Sequence, residues 1–295
     1  MIPSMGIRTK FNLGLLAVFA LAFTAAWVFL DRQFVTTARN EVLQSARIML
    51  SAANAVREYT VRDVVPVVTR NNPGWIAPLT VPSYAAQTNL RTIRGEHPDY
   101  TYKEAALNPT NLNDRALDWE ADFINSFRNT PSLAEMIGER ETPIGRVLTL
   151  SRPIVIRDEA CLVCHSTPEN APPRMVQVYG AANGFGWRMN ETIGAQLVSV
   201  PMNVALGNAR RNLHSAMAIL FGTFLSMMVV LNALLHLVVI RPVTRMSRAA
   251  TAVSLGQEGP AVEFEAKGKD EISELGRAFT RMRRSLDQAV KMLGT

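Results

Sequence analysis

Two long apolar runs constrain this chain more than any other feature. Phe11 to Leu30 holds only Asn12 and Thr24 as polar breaks, and a helix needs about 20 such residues to cross the hydrocarbon core of a bilayer. Trp27 lies near its outer end, where an amphipathic ring suits the membrane interface. A cleaved leader is the alternative, but its apolar stretch would be shorter, and no A-x-A site follows Leu30. The second run, Ser215 to Ile240, is interrupted by Asn232 and His236 and is free of Asp, Glu, Lys and Arg. It spans with some tilt. His236, one turn from the inner end, reads as a polar contact between helices rather than a proton site. Composition agrees, because only 19% of residues are charged and 48% are hydrophobic, whereas a soluble domain carries about a quarter charged.

Basic flanks set the expected orientation. Arg8 and Lys10 precede the first run, and Arg241, Arg245 and Arg248 follow the second. Both termini are therefore expected in the cytoplasm, with Arg210 and Arg211 as weak opposition. Residues 1–10 form a cytoplasmic N-terminus and 11–30 the first span. Residues 31–214 form one extracytoplasmic domain, long enough to bury its own core. Residues 215–240 form the second span, 241–290 a cytoplasmic domain and 291–295 the C-terminal end. The expected location is a cell inner membrane, with the central domain in the periplasm. The net charge of +6 is scattered rather than gathered on one stripe, so no nucleic-acid partner is implied.

The central region opens with apolar residues at helical spacing: Val42, Ala46, Met49, Ala53 and Val56. This predicts an amphipathic helix with one face on the domain, closed by Pro66 and by Asn71-Asn72-Pro73-Gly74. Pro78, Pro82, Pro98 and Pro109 punctuate the next stretch and predict loops and short elements there. Trp119, Phe123 and Phe127 predict a short helix over 118–128. Gly145 to Ile156 is rich in β-branched and aliphatic residues, as a strand is. Phe185–Met189 and Ile193–Met202, about a turn at Asn190-Glu191, read as a hairpin. A leading helix, loops and then an antiparallel sheet make an α+β sensor-type layout.

The tail carries two heptad patterns. Val243, Met246, Ala250 and Val253 step by three and four. After a connector from Gly256 to Lys269 come Ile272, Leu275, Phe279, Met282 and Leu286, extended by Val290 and Leu293. Two such helices cannot cover their own seams. They predict a homodimer in which both chains build a parallel four-helix coil. With Arg241-Pro242 directly after the span and Asp270-Glu271-Ile272 opening the second helix, this tail resembles the HAMP domain of bacterial transmembrane receptors.

The chemistry centres on the only two cysteines, which stand as Cys161-Leu162-Val163-Cys164-His165. This C-x-x-C-H spacing is the attachment signature of c-type haem. Two thiols three positions apart can add to the two vinyl groups on one porphyrin edge, and the adjacent imidazole then serves as axial iron ligand. The alternatives are weaker. A redox dithiol normally sits after a strand in a thioredoxin-like unit, a zinc site needs about four ligands, and a disulfide here would close a very short loop. The sixth iron ligand is open between readings. Met49, on the apolar helix face, is the leading side chain, although Met in such a stripe is commonly core packing. Met136, Met175, Met189 and Met202 also lie in this region, while His97 sits in a turn, His214 at the membrane edge and His236 inside it. An unfilled sixth position, suited to a diatomic gas, is the other reading. Arg57 and Tyr59 follow the stripe by one turn, placing Arg57 as a propionate contact and Tyr59 as a pocket residue. A surface arginine and a core-edge tyrosine are the plain alternatives. Asn108 and Asn111 flank Pro109 and read as local turn stabilisers.

The central domain resembles the PAS-like c-haem sensor family, long catalogued as a domain of unknown function in bacterial receptors. The resemblance is carried by Val56-Arg57-Glu58-Tyr59-Thr60 with Val65-Pro66, by Tyr100-Thr101-Tyr102-Lys103-Glu104-Ala105-Ala106, and by Asn108-Pro109-Thr110-Asn111 leading to Trp119-Glu120. C-x-x-C-H and Gly184-Phe185-Gly186-Trp187 complete it. It implies a PAS-like fold, one covalent haem and a signalling role.

The expected function is a membrane-bound haem sensor that transmits a redox or diatomic-gas signal through HAMP to a cytoplasmic output protein in trans, or to further sequence beyond Thr295. A membrane-anchored monohaem carrier for electron transfer to a redox partner is the alternative, although a carrier has no use for cytoplasmic heptads. A third reading is a small-molecule receptor in which C-x-x-C-H is structural. No Ser-His-Asp layout or phosphate-binding glycine loop points to an enzyme.

Overall fold

The computed structural model describes residues 5–71, 78–143, 145–255 and 268–293. It divides into two units, Leu30–Leu213 and the combination of Met1–Phe29 with His214–Thr295. Helix α1 runs from Ile7 to Tyr59 and contributes to both. Its outer part buries Ala38, Val42, Leu43, Ala46, Met49, Leu50 and Ala53, four of which belong to the predicted stripe, whose fifth member, Val56, is half-buried. The helix does not stop at Pro66 as expected. A π turn, Thr60–Val64, leads into α2, Val65–Asn71, where Pro66 is the second residue. Proline lacks an N–H and its ring crowds the preceding turn, and a widened turn accommodates both.

The described residues of the outer unit form a four-stranded antiparallel sheet. Its strands are β1 (Thr101–Ala106), β2 (Met136–Thr142), β3 (Gly145–Val155) and β4 (Thr192–Pro201), in the order β1-β4-β3-β2. The α+β layout read from the sequence is therefore the fold. Helix α1 packs on one face, where Val42, Leu43, Ala46, Met49 and Leu50 join Leu148, Leu150, Val198, Val200 and Met202. Helix α3, Pro82–Ile93, adds Ala86 and Leu90 beside Ala53 on α1. On the other face lies α4, Asp118–Asn129, whose Ile124 and Phe127 pack with Ala105, Ala195 and Leu197. Covered on both faces, β4 is buried along all but its last residue. Two short helices, α5 (Ala160–His165) and α6 (Pro173–Tyr179), lie between β3 and β4 in the chain.

Several elements depart from the sequence reading. The proline-punctuated stretch holds the helix α3, with Pro82 at its first position, where a missing N–H costs nothing. Strand β1 was not legible because two of its residues are charged and buried or half-buried in pairs. Lys103 Nζ donates to Glu120 at 2.6 Å, and Arg57 pairs with Glu104. Residues 185–189 are not a strand, so the expected hairpin is absent. Instead β4 pairs with β1 and β3. The turn expected at Asn72-Pro73-Gly74, most of the connector from Gly256, and Gly294-Thr295 lie outside the described residues.

Helix α1 is tied to the sheet by ion pairs as well as by apolar contact. Arg39 meets Glu139 at 2.7 Å, while Glu135 accepts from Arg47 at 2.9 Å and from Arg152 of β3 at 2.9 Å. Partial burial opposes ionisation of Glu135, but hydrogen bonds and charge from Arg47 and Arg152 prevail and hold its carboxyl below the ordinary 4.5. A depressed carboxyl contributes stability above its unfolded pKa and loses it as pH falls through the folded one. Thermal melts of the wild type should therefore fall as pH drops below about 4.5, with Glu135→Gln showing a shallower dependence in that window.

Helix α7 runs from Asn203 to Leu234, its residues up to Leu213 in the outer unit and the rest in the other, where a second π turn, Leu235–Ile240, and α8, Arg241–Ser254, follow it. This turn, too, precedes a proline, Pro242, at the second residue of the next helix. Both α1 and α7 belong to helices long and apolar enough to cross a membrane. Between these apolar segments, Asn12 and Asn232 exchange amide hydrogen bonds of 3.1 and 2.8 Å, and Arg8 donates to the same Asn232 oxygen at 3.3 Å. Phe19 stacks on Phe224 with centroids 3.6 Å apart. His236 lies exposed within the π turn. Removing the amide pair by Asn232→Leu should cost about 0.6–2 kcal/mol in detergent unfolding titrations, the scale of interhelical hydrogen bonds in membranes.

Helix α9, Glu271–Leu293, begins with Asp270 accepting from the Ser273 N–H at 2.7 Å. This is the cap that the Asp270-Glu271-Ile272 pattern suggests. Met246 of α8 is buried, whereas Leu275, Met282 and Leu286 of α9 are exposed in the single chain.

Candidate functional site

Beyond β3 the chain turns into α5, the short helix that holds the whole C-x-x-C-H motif. Asp158 starts it, its Oδ1 accepting from the Ala160 N–H at 2.9 Å. Three positions apart on a helix, Cys161 and Cys164 lie on one side. Both are free thiols and half-buried. Burial pushes the Cys161 thiol up, Asp158 adds to this, and the Arg57 guanidinium opposes it. Burial likewise pushes Cys164 up, with Cys161 adding. A redox dithiol needs the reverse, a thiol depressed toward the thiolate. Among the described residues, no group of three or more His, Cys, Asp or Glu is placed to hold a bare metal ion.

His165 is held from several sides. Its Nδ1 lies 2.7 Å from the Gly184 carbonyl oxygen and 3.4 Å from the Thr110 hydroxyl. A carbonyl can only accept, so Nδ1 carries the proton and Nε2 keeps a free lone pair. Burial disfavours the charged ring, against the Gly184 hydrogen bond, and lowers its pKa. The neutral imidazole is the form that ligates metals. The Trp187 ring stacks on it, with centroids 3.8 Å apart and planes 15° from parallel.

Here lies the reason that residues 185–189 form no strand. The backbone N–H groups of Gly186 and Trp187 donate to the carbonyls of Ser166 and His165, at 2.9 and 3.2 Å. Gly184 and Gly186 have φ of +82° and +79°, conformations that glycine alone adopts freely. The segment's donors serve the motif instead of a ladder. A Cβ on Gly184 would overlap the Thr110 side chain, so the two residues are in direct van der Waals apposition.

The residues expected on α1 separate. Arg57 faces the site closely enough for its charge to act on Cys161. It is committed to an ion pair with Glu104, whose other oxygen accepts from the Tyr102 hydroxyl at 2.7 Å. The Tyr102 oxygen in turn accepts from Gln196, which also donates to Asn54 at 2.7 Å. Tyr59 is 58% exposed at the end of α1. Met49 packs in the core among Leu148, Leu150 and Val200. Asn111 stabilises its local turn, accepting from the Asn113 N–H at 3.1 Å. Asn108 does not, and instead reaches the Gly184–Phe185 backbone. Sequence reasoning gave Thr110 and Trp187 no separate role. The cue was glycine density around a tryptophan, which disfavours a strand.

The arrangement fits a c-type haem. Two thiols on one side of a helical turn would form the thioethers, and an imidazole with Nδ1 occupied would present Nε2 to iron. Comparison with known proteins agrees with the architecture. Residues 234–288 match the HAMP domain. A solved structure described as the crystal structure of the cyanobacterial heme-protein Tll0287 is similar over 55% of this chain and 95% of its own, at 15% identity and a TM-score of 0.44. No curated protein matches the chain. Residues 33–201, more than half of the sequence, match the Tll0287-like family model, and the chain belongs to that family, with a HAMP domain following it.

Proposed function

We propose that this protein is a haem c sensor of an inner membrane, which passes a redox or diatomic-gas signal through its HAMP domain. The coarser reading, a membrane sensor signalling through HAMP rather than an enzyme, follows from the order of domains. One observation carries the finer reading. The imidazole of the C-x-x-C-H motif is fixed by a hydrogen bond at Nδ1, the arrangement of a metal-ligating histidine.

In this reading Cys161 and Cys164 anchor one haem covalently and His165 supplies an axial nitrogen. When bound, haem supplies a one-electron redox centre whose iron can also take a gas. The protein's residues hold and orient it. Arg57, paired with Glu104, has a charge that reaches the motif, and it would serve as a propionate contact. Met49 as sixth ligand and an open sixth position are separated by carbon monoxide, which binds fast to an open ferrous site and slowly to a methionine-filled one. The central domain lies in the periplasm with both termini in the cytoplasm, as the flanking arginines favour. Exposure of Leu275, Met282 and Leu286 in the single chain supports a homodimer closed through HAMP, with an output protein in trans.

The test is the intact mass and optical spectrum of protein matured with a cytochrome c assembly system. The expected mass is that of the polypeptide plus one haem, with a haemochrome typical of two thioethers. The bare polypeptide mass without a Soret band would sink the proposal.

A further inference from the structure

Asn108 lies in the loop after β1 and makes contacts that no local turn requires. Its Oδ1 accepts from the Gly184 N–H at 3.2 Å, and its Nδ2 donates to the Phe185 carbonyl at a long 3.5 Å. An N–H can only donate and a carbonyl can only accept, so both bonds demand the same orientation of the amide. One side chain thus bonds to backbone groups of two adjacent residues, Gly184 and Phe185, on either side of the peptide bond that joins them, 76 and 77 residues away in sequence. The carbonyl of that glycine accepts from His165 Nδ1 at 2.7 Å. Beyond it, Gly186 and Trp187 are bonded back to Ser166 and His165. The Gly184 peptide is therefore clamped between the β1 loop and α5, and its carbonyl direction follows from the clamp.

We propose that Asn108 is a positioning residue for the axial histidine, acting through the Gly184 carbonyl to set the orientation and basicity of the His165 imidazole. The inference rests on the reading of His165 as an iron ligand. Partners of the second ring nitrogen orient a ligating imidazole and raise its basicity. A more basic ligand favours ferric over ferrous iron. Losing the clamp lets the carbonyl drift from Nδ1 and shifts the balance toward the reduced state.

The test is a redox titration of the full-length holoprotein in detergent, comparing wild type, Asn108→Ala and Asn108→Asp. At an ambient potential equal to the wild-type midpoint, the alanine variant should show a severalfold lower ratio of ferric to ferrous protein. Aspartate keeps an acceptor for the Gly184 N–H and should show no such drop. Asn108→Ser, whose reach is shorter, replaces the alanine variant if that protein does not accumulate. A lowered melting temperature with an unchanged midpoint in the alanine or serine variant would overturn the proposal, leaving Asn108 a purely structural residue. So would an equal rise in midpoint for alanine and aspartate. Failure of the underlying reading is seen separately, as wild-type protein without bound haem.

Discussion

Gly184→Ala should uncouple the motif from its support and be among the most damaging single substitutions in the outer domain. Gly184 sits at φ +82°, where a side chain costs about 1–3 kcal/mol in backbone strain. The added Cβ would also lie 2.7 Å from the Thr110 Cα and overlap its hydroxyl. Overpacking of that kind adds about 1–3 kcal/mol. Relief requires the Gly184 backbone to move, and its carbonyl is the partner of His165 Nδ1. The expected result is a domain destabilised by about 2–6 kcal/mol, the sum of the two costs, and, on the proposed haem c reading, little covalent haem. Thr110→Gly in the same background removes the overlap with the Thr110 side chain but leaves the 2.7 Å approach to its Cα and the strain. It should recover only the side-chain part of the overpacking, which a denaturant-based double-mutant cycle measures. Full recovery by Thr110→Gly would show that the left-handed backbone contributes nothing.

Arg57→Ala should be comparably costly for an electrostatic reason. Glu104 is only 5% exposed, and Arg57 is its charged partner. Without the guanidinium, a buried carboxylate keeps only the Tyr102 hydroxyl, and breaking a buried pair from one side costs about 3–5 kcal/mol. The variant should also acquire a pH dependence. An uncompensated buried glutamate has a raised folded pKa, so the native state binds the proton more tightly than the unfolded chain. Stability of Arg57→Ala should therefore rise as pH falls toward the acid range. Glu104→Gln in that background should restore most of the loss and abolish the acid gain. An Arg57→Ala protein as stable as the wild type at neutral pH would show that the pair carries no net weight.

What the sequence revealed, and what it hid, divides along local and long-range physics. The stripe Val42, Ala46, Met49, Ala53 and Val56 was readable because periodicity is local; the first four residues are buried and Val56 is half-buried. The C-x-x-C-H motif and the helix opening at Asp270-Glu271-Ile272 were readable for the same reason. Strand β1 was not, since Lys103 and Glu104 look like surface residues until Glu120 and Arg57 are brought to them. Helix α3 was hidden by reading Pro82 as a breaker when it occupies a helix start. The other half of the site, Gly184 to Trp187, overlaps the Phe185–Met189 stretch that reads as a strand, because its bonds to residues 165 and 166 are invisible in a local window. Asn108 was misread similarly, as an asparagine beside a proline whose true partners lie across the domain.

The widened turn at Leu235–Ile240 bears on how the protein tolerates changes in length. Its closing bond runs from the Arg241 N–H to the His236 carbonyl, one residue wider than an α-helical bond. Deleting one residue there converts the turn to ordinary helix and leaves the azimuth of α8 nearly unchanged. Deleting one residue in the regular part of α7 instead rotates everything downstream by about 100°, the angular step of an α-helix at 3.6 residues per turn. Natural variants and engineered chimaeras joined at this point should therefore accept single-residue shortening just ahead of Arg241-Pro242 and reject it a few turns earlier.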